Sequence, residues 1–506
     1  MINVIEYLER SAKRFPDKTA FADPDGKISY SELQSRARLA GSYFLRRGIL
    51  PGSAVTFYTE KSVKAAAVML GAVYANAFYS FIDIRQTPGR TQAMLDRLDP
   101  FVIVTDEENL EQIRGIYKGR CKIVTVDELI EKAKEEKEDE ALLAKARRDF
   151  YDTQILYVNF TSGSTGVPKG VAVSHRSVID FITQLTGIFG IDETDVIANQ
   201  APFDFDVSVK DFYSGLAVGA SVWLIPREYF SNPTVLMDYL CESRATTLIW
   251  AVSAMCFVSI MNGFEYKTPS GIRRVMFSGE IMPVKQLKKW QTYLPDAMFV
   301  NLYGPTEITC NCTYYILDRE FEKDEIIPIG IPFPNEKVFL LDEDDRQVTE
   351  TGKEGEICVA GTCLALGYYK DPEKTAAAFC PNPLNTATRE IMYRTGDLGM
   401  IGEDGNLIYT SRKDFQIKHM GQRIELGDIE ASAMSCDGVD RACAIYDMKK
   451  KKIILFYTGQ TEKDDVGKML GDALPPFMMP GKTVKLESFP MNKNGKIDRH
   501  ALEEMK

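Results

Sequence analysis

Between Thr161 and Lys169 the chain reads TSGSTGVPK, a crowding of hydroxyls, glycines and a cation that suits the wrapping of a polyphosphate. Thr161, Ser162, Ser164 and Thr165 supply hydroxyls, Gly163 and Gly166 let the backbone approach an anion, and Lys169 adds positive charge. A Walker loop is a different object. It needs Gly-Lys-Ser/Thr opening a helix, whereas Pro168 precedes Lys169 here and a strand-like run, Gly170 to Val173, follows. A linker is the plainer reading of Gly, Ser and Thr, but such density between two strand-like runs argues against it. A second candidate is NLYGPTE, Asn301 to Glu307. Its Gly-Pro turn stands directly after an apolar strand, where ligands bind in open α/β sheets.

Loops of this kind need strands that end beside them. Ile155 to Phe160 is an apolar run with a β-branched bias, and residues 28 to 83 alternate helix-like and strand-like patterns. FVIVTD and KIVTV continue the strands, and the alternation returns at full strength from Val196 to Gly304, predicting doubly wound α/β layers. From Ile329 to Tyr409 short strands punctuated by Gly, Pro and Asn predict a smaller β-rich subdomain. After Arg412 the texture changes to a compact unit of roughly 90 residues. The expected fold is therefore α/β, with residues 1–412 as a large N-terminal part and 413–506 as a small α+β C-terminal domain, divided at Lys413 and Asp414. Residues 128–148, rich in Glu and Lys, read as a solvated helix or linker.

Composition narrows the function. At 506 residues the chain exceeds one core, and 45% hydrophobic and 26% charged residues are globular values. A net charge of −11 argues against nucleic acid or an anionic membrane as the main partner. The N-terminal amphipathic helix, ending before Pro16, lacks the apolar core of a signal peptide, and no apolar run is long enough to span a membrane. Ten scattered cysteines without paired CxxC spacing fit a reducing cytoplasm rather than a zinc module. With His175, His419 and His500 the only histidines, a His-centred triad or multi-His metal site is improbable.

The loop from Thr161 to Gly170 closely resembles the signature loop of the adenylate-forming enzymes: acyl-CoA synthetases, luciferases and the adenylation domains of nonribosomal peptide synthetases. The likeness runs from ISYSEL to NGKIDR, with the motifs in the family's order. It implies ATP and Mg²⁺, with Tyr303 stacking on adenine, Thr306 meeting the α-phosphate and Glu307 holding the metal, for which a hard carboxylate oxygen is suited. Gly279, Glu280, Asn301 and Gly304 are implied nucleotide contacts. YRTGD resembles the motif whose aspartate, Asp397, accepts both ribose hydroxyls, with Arg412 as its partner. Lys496 in NKNGKIDR resembles the lysine that swings into the active site to meet the carboxylate and α-phosphate, a role of electrostatic catalysis. Asp414 matches the family's hinge, and MGQRIELGDIE, with Gly421 permitting close approach, resembles the element that meets the phosphopantetheine thiol in the second step.

The segment FDFDVSVKDFY places Asp206 where amino-acid activators pair an aspartate with the substrate α-ammonium. A helix N-cap is the competing reading. The same alignment lines the acid pocket with Val207, Lys210, Trp250, Met276, Ser278, Leu302, Cys310 and Asn311, closed by Lys496. Trp250 would fill much of such a pocket and favour a small side chain, while Lys210 either pairs with an acidic side chain or points to solvent. Asp206, Val207, Ser278 and Leu302 resemble a serine-type pocket. The D-alanine–carrier protein ligases, also close, carry cysteine where this chain has Ser278. The expectation is an amino-acid adenylating ligase, AMP-forming, that then loads a phosphopantetheinylated carrier protein, in trans or in a downstream domain. The alternatives are a D-alanine–carrier ligase, an acyl-CoA synthetase and a non-catalytic nucleotide-binding regulator.

Overall fold

A computed structural model describes residues 1–161, 168–323, 325–413, 416–448, 450–491 and 497–506, with the backbone alone of His500. Among the described residues, no helix is long and apolar enough to cross a membrane. One seven-stranded sheet has at its centre the strands Ile155–Thr161, Phe78–Phe81, Ala54–Tyr58 and Val102–Thr105, in that spatial order. These strands are largely buried on both faces and pair in parallel, as expected where helices cover a sheet from both sides. Ile155–Thr161 also turns back antiparallel onto Lys169–Ser174, and the register sets Thr161 directly opposite Lys169.

The second, nine-stranded sheet has a parallel core of Ser221–Leu224, Val196–Asn199, Thr247–Ala251, Arg274–Ser278 and Met298–Tyr303. Ala251, Ser278 and Leu302 lie side by side in that register. Parallel strands end together, so one sheet edge gathers the residues that follow each of them. The helix Tyr30–Arg46 begins at a capping box in which Ser29 and Glu32 satisfy each other's backbone donors. Residues 128–148 are helical rather than a linker: apart from 137–139 they fall in the helices Val126–Glu136 and Glu140–Arg148, which are not wholly solvated, since Leu129, Ile130, Ala133, Leu143 and Ala146 are buried beneath a charged outer face.

Antiparallel strands dominate from residue 336 onward, where Glu336–Leu341, Glu354–Gly361, Ile391–Ile401 and Leu407–Arg412 form a smaller sheet. Beyond it come the hairpin Gln416–His419/Gln422–Glu425 and a sheet of Val439–Asp447, Lys452–Gly459 and Lys482–Lys485, with its own apolar core around Ile424, Ile429, Leu455 and Leu470.

Candidate functional site

The turn after Met298–Tyr303 is built from residues that few substitutions could replace. A Cβ on Gly304 would stand 2.5 Å from the Asn311 Cα, so only glycine lets the two backbones meet. Thr309 and Cys310 take left-handed conformations, φ 54° and 75°, which cost a non-glycine residue strain that packing must hold in place. The Thr309 hydroxyl donates to the Cys363 carbonyl at 2.7 Å, and the Ala365 N–H to the Glu307 carbonyl at 2.9 Å. So anchored, the turn buries the Glu307 side chain completely. Its carboxylate accepts from the Tyr368 hydroxyl at 2.8 Å and from Arg423 at 2.6 Å. Burial pushes the Glu307 carboxyl up, but Arg423 and Lys169 more than offset this and hold it near 2. An anionic, hard oxygen ligand at this position fits a Mg²⁺ ion.

Asp397 and Arg412 are cross-strand neighbours, and their side chains pair at 2.5 Å. The other Asp397 oxygen accepts from the Tyr303 hydroxyl at 2.6 Å. This clamp borders a cavity of about 490 Å³ that Tyr409, Asn301, Gly279 and Glu280 also line. Aromatic walls beside a carboxylate suit a nucleoside, with the base against a ring and the ribose diol on Asp397. The Asn301 amide is fixed by donating to the Pro328 carbonyl at 2.8 Å. Glu280 is engaged differently: it accepts from the Gly421 N–H at 2.9 Å and faces Lys451 at 3.4 Å, both from the C-terminal part.

A second, smaller cavity of about 100 Å³ connects Asp206, Val207, Ser278, Cys310 and Asn311 with Thr306, Asp397 and Arg412. Asp206 precedes the helix Val207–Val218, yet its side chain does not cap it, so the N-cap reading fails. Burial raises its carboxyl, against the pull of the Thr306 hydroxyl and the Lys210 ammonium. One helical turn on, Lys210 is wholly buried and donates to Asn311 Oδ1 at 2.8 Å and to Ser278 Oγ at 3.3 Å. It does not point to solvent. Because an ammonium only donates, Asn311 must turn its oxygen to Lys210, which leaves its amide N–H groups for the other side.

Three pocket expectations move. Trp250 is in register with Phe277, not with Met276 or Ser278, and alternation puts it on the opposite sheet face. There it packs on Phe230 and Trp290 and donates from its indole N–H to the Ala198 carbonyl at 2.9 Å. It is a core residue and does not fill the cavity. Met276 is fully buried in register with Ile249 and Val300, and Leu302 lines the larger cavity. Ser162, Gly163, Ser164, Thr165, Gly166, Asp414 and Lys496 lie outside the described residues. The described Lys169 stands 5.4 Å from the Tyr368 ring and 3.9 Å from Glu425.

Sequence reasoning missed Arg423 and Lys418. They face each other across the C-terminal hairpin, whose turn residues Met420 and Gly421 both have positive φ. Two cations at opposed positions on a tight hairpin share one face, a signal present in QIKHMGQRIE. Arg423 reaches Glu307, and Lys418 stands 5.9 Å from the Tyr303 ring. Arg90 faces Asp428 at 3.7 Å, a further tie between the two parts of the chain.

The sequence pattern of the AMP-binding enzyme family matches residues 8–369. The chain belongs to the AMP-binding enzymes. Tyrocidine synthase 1 of Brevibacillus parabrevis is 29% identical over 99% of this chain, which spans 45% of that relative's length. An L-proline–L-prolyl-carrier protein ligase of Streptomyces coelicolor is 28% identical, covering 99% of this chain and 96% of the relative. The adenylation domain AlmE of Vibrio cholerae, solved in complex with glycyl-adenosine-5'-phosphate, shares the fold. It has a TM-score of 0.86 and 20% identity, over 100% of this AMP-binding enzyme and 98% of that chain.

Proposed function

We propose that this AMP-binding enzyme activates an amino acid with ATP and passes it to the phosphopantetheine thiol of a carrier protein. The observation that carries the reading is the cavity joining Asp206, whose carboxyl caps nothing, to Thr306 and to the Asp397–Arg412 clamp. Asp206 receives the α-ammonium and directs the substrate carboxylate towards Thr306, where the α-phosphate is held. A substrate carboxylate oxygen bonds to the α-phosphorus, the bond to the bridging oxygen breaks, and pyrophosphate leaves. The thiol sulfur then attacks the acyl carbon, its proton passes to solvent, and AMP leaves. Mg²⁺ bound at Glu307 would neutralise phosphate charge. Lys496 is the cation for the first step, and Asp414 the hinge about which residues 413–506 turn between the steps.

The docked hairpin supports assigning the arrangement described here to the second step, because Arg423 occupies the Glu307 carboxylate and Gly421 binds Glu280. For the substrate side chain, Lys210, Ser278 and Asn311 form a polar floor that favours a small polar residue such as serine, or an acidic one, over the methyl of alanine. The test is amino-acid-dependent exchange of labelled pyrophosphate into ATP across the standard amino acids, D-alanine and fatty acids, with Lys496→Ala as control. Exchange with one small polar or acidic amino acid, lost in the variant, is expected. Exchange with D-alanine or a fatty acid alone would overturn the substrate assignment, and no exchange at all would overturn the activity.

A further inference from the structure

Behind the Glu307 turn lies a group of side chains that the adenylation reading does not use. Asp180 sits on the helix His175–Phe189, Glu336 opens the strand Glu336–Leu341, and Cys363 follows the strand Glu354–Gly361. One ligand-grade atom from each lies within 4.8 Å of the others. Glu336 is 8% exposed and Cys363 1%, while Asp180 is half-buried and gives access from solvent.

The hydrogen bonds around the group are incomplete at one point. Glu336 Oε1 accepts from the Cys363 N–H at 2.9 Å and lies 3.3 Å from the Thr362 oxygen, whose single proton is directed to Asp180. Asp180 accepts from the Asn335 amide at 2.7 Å and from the Thr362 hydroxyl. Glu336 Oε2 is buried without a hydrogen-bond partner among the described residues. A Cβ on Gly361 would stand 2.4 Å from that same oxygen, so the glycine keeps room for it. The Cys363 thiol, a weak donor, is the side chain nearest to completing the Glu336 carboxylate, and two carboxylates this close with so little donation between them are a costly arrangement.

We propose that Asp180, Glu336 and Cys363 form a site for a divalent cation of the Zn²⁺ class. Two carboxylates and a thiolate are a mixed hard and soft donor set, which borderline ions accept and which Mg²⁺ and Ca²⁺, preferring oxygen throughout, do not. Three protein ligands leave a fourth position for water. Binding forms the metal–sulfur bond with loss of the thiol proton to solvent, together with the Glu336 proton where it is present, so affinity rises with pH. The site would tie three segments together directly behind the turn, where Cys363 holds Thr309 and Ala365 holds Glu307.

The test titrates the full chain, free of nucleotide, with Zn²⁺ by calorimetry and with Co²⁺ by absorption. The expected result is a Zn²⁺ affinity that falls at least tenfold in both Glu336→Gln and Cys363→Ser. The Co²⁺ form should show a thiolate charge-transfer band that disappears in Cys363→Ser. Zn²⁺ should raise the thermal midpoint of the wild type and not of Glu336→Gln, whose metal-free form should be at least as stable as the wild type. Should Cys363→Ser fail to fold, Asp180→Asn, at the half-buried ligand, takes its place with the same tenfold expectation. Zn²⁺ binding unchanged across the variants, or a Co²⁺ spectrum without the thiolate band, would overturn the site.

Discussion

On the two-step activity proposed above, replacing Arg423 by glutamine separates the half-reactions from the side of the second step. Arg423 and Glu307 meet at 2.6 Å with side-chain exposures of 13% and 0%. Breaking a buried pair of this kind by removing one partner costs about 3–5 kcal/mol, because the remaining charge is left buried. Glu307 retains the Tyr368 hydroxyl at 2.8 Å and the attraction of Lys169, so the cost here is reduced to about 2 kcal/mol. That cost falls on the docked hairpin alone, since the pair spans 116 residues and exists only when the C-terminal part is in place. At about 1.4 kcal/mol per tenfold, the docked-to-undocked ratio drops about 30-fold. The assay is single-turnover transfer from preformed aminoacyl adenylate to a phosphopantetheine thiol, compared with pyrophosphate exchange on the same preparation. Transfer should slow by about 30-fold, and exchange should change by less than about threefold. An equal loss in both reactions, or unimpaired transfer, would show that Arg423 does not serve the second step.

Three further perturbations follow from the geometry. Lys210→Met removes donors to Asn311 and Ser278, bonds of a charged group worth about 1.5–3 kcal/mol; exchange with the preferred polar amino acid should fall about 10- to 100-fold and preference shift towards apolar ones, and unchanged preference would show that the floor does not select. Trp250→Phe loses the indole bond to Ala198 and should lower stability by about 1–2 kcal/mol in denaturant unfolding, with the exchange profile across amino acids unaltered. His175 is buried and neutral, its ionisation lowered by burial from 6.5 to about 3. Stability linked to it is therefore complete above pH 6.5 and lost as pH falls towards 3, about 2 kcal/mol of it by about pH 5; unfolding titrations should find this slope reduced in His175→Gln.

How much of this is legible in the sequence depends on whether a feature is local. The hairpin that sets Thr161 opposite Lys169 can be read because a β-branched run and its return flank the loop within a few residues. The Gly304 turn can be read because only glycine fits where Asn311 approaches. Trp250 escapes such reading because the face a strand residue occupies depends on register with its neighbours, here Phe277, and an offset of one reverses it. In residues 128–148 the abundance of Glu and Lys hides an apolar stripe, Leu129, Ile130 and Ala133, at helical spacing. Arg423 cannot be assigned to Glu307 at all, since no local pattern specifies what a surface hairpin meets across a domain boundary.

Cys310 unites two duties that protein engineers usually find on separate residues. It walls the small cavity and it also holds φ at 75° in the turn that positions Glu307. Retuning the cavity by volume at this position is therefore limited by backbone rather than by space. Glycine, asparagine and aspartate tolerate the conformation, whereas a valine or isoleucine would strain the turn and carry the damage to the nucleotide end of the site. Val207 and Ser278, on a regular helix and strand, carry no such burden, so any lineage or library that changes substrate is expected to vary those two first and to leave Cys310 among a very short list of replacements.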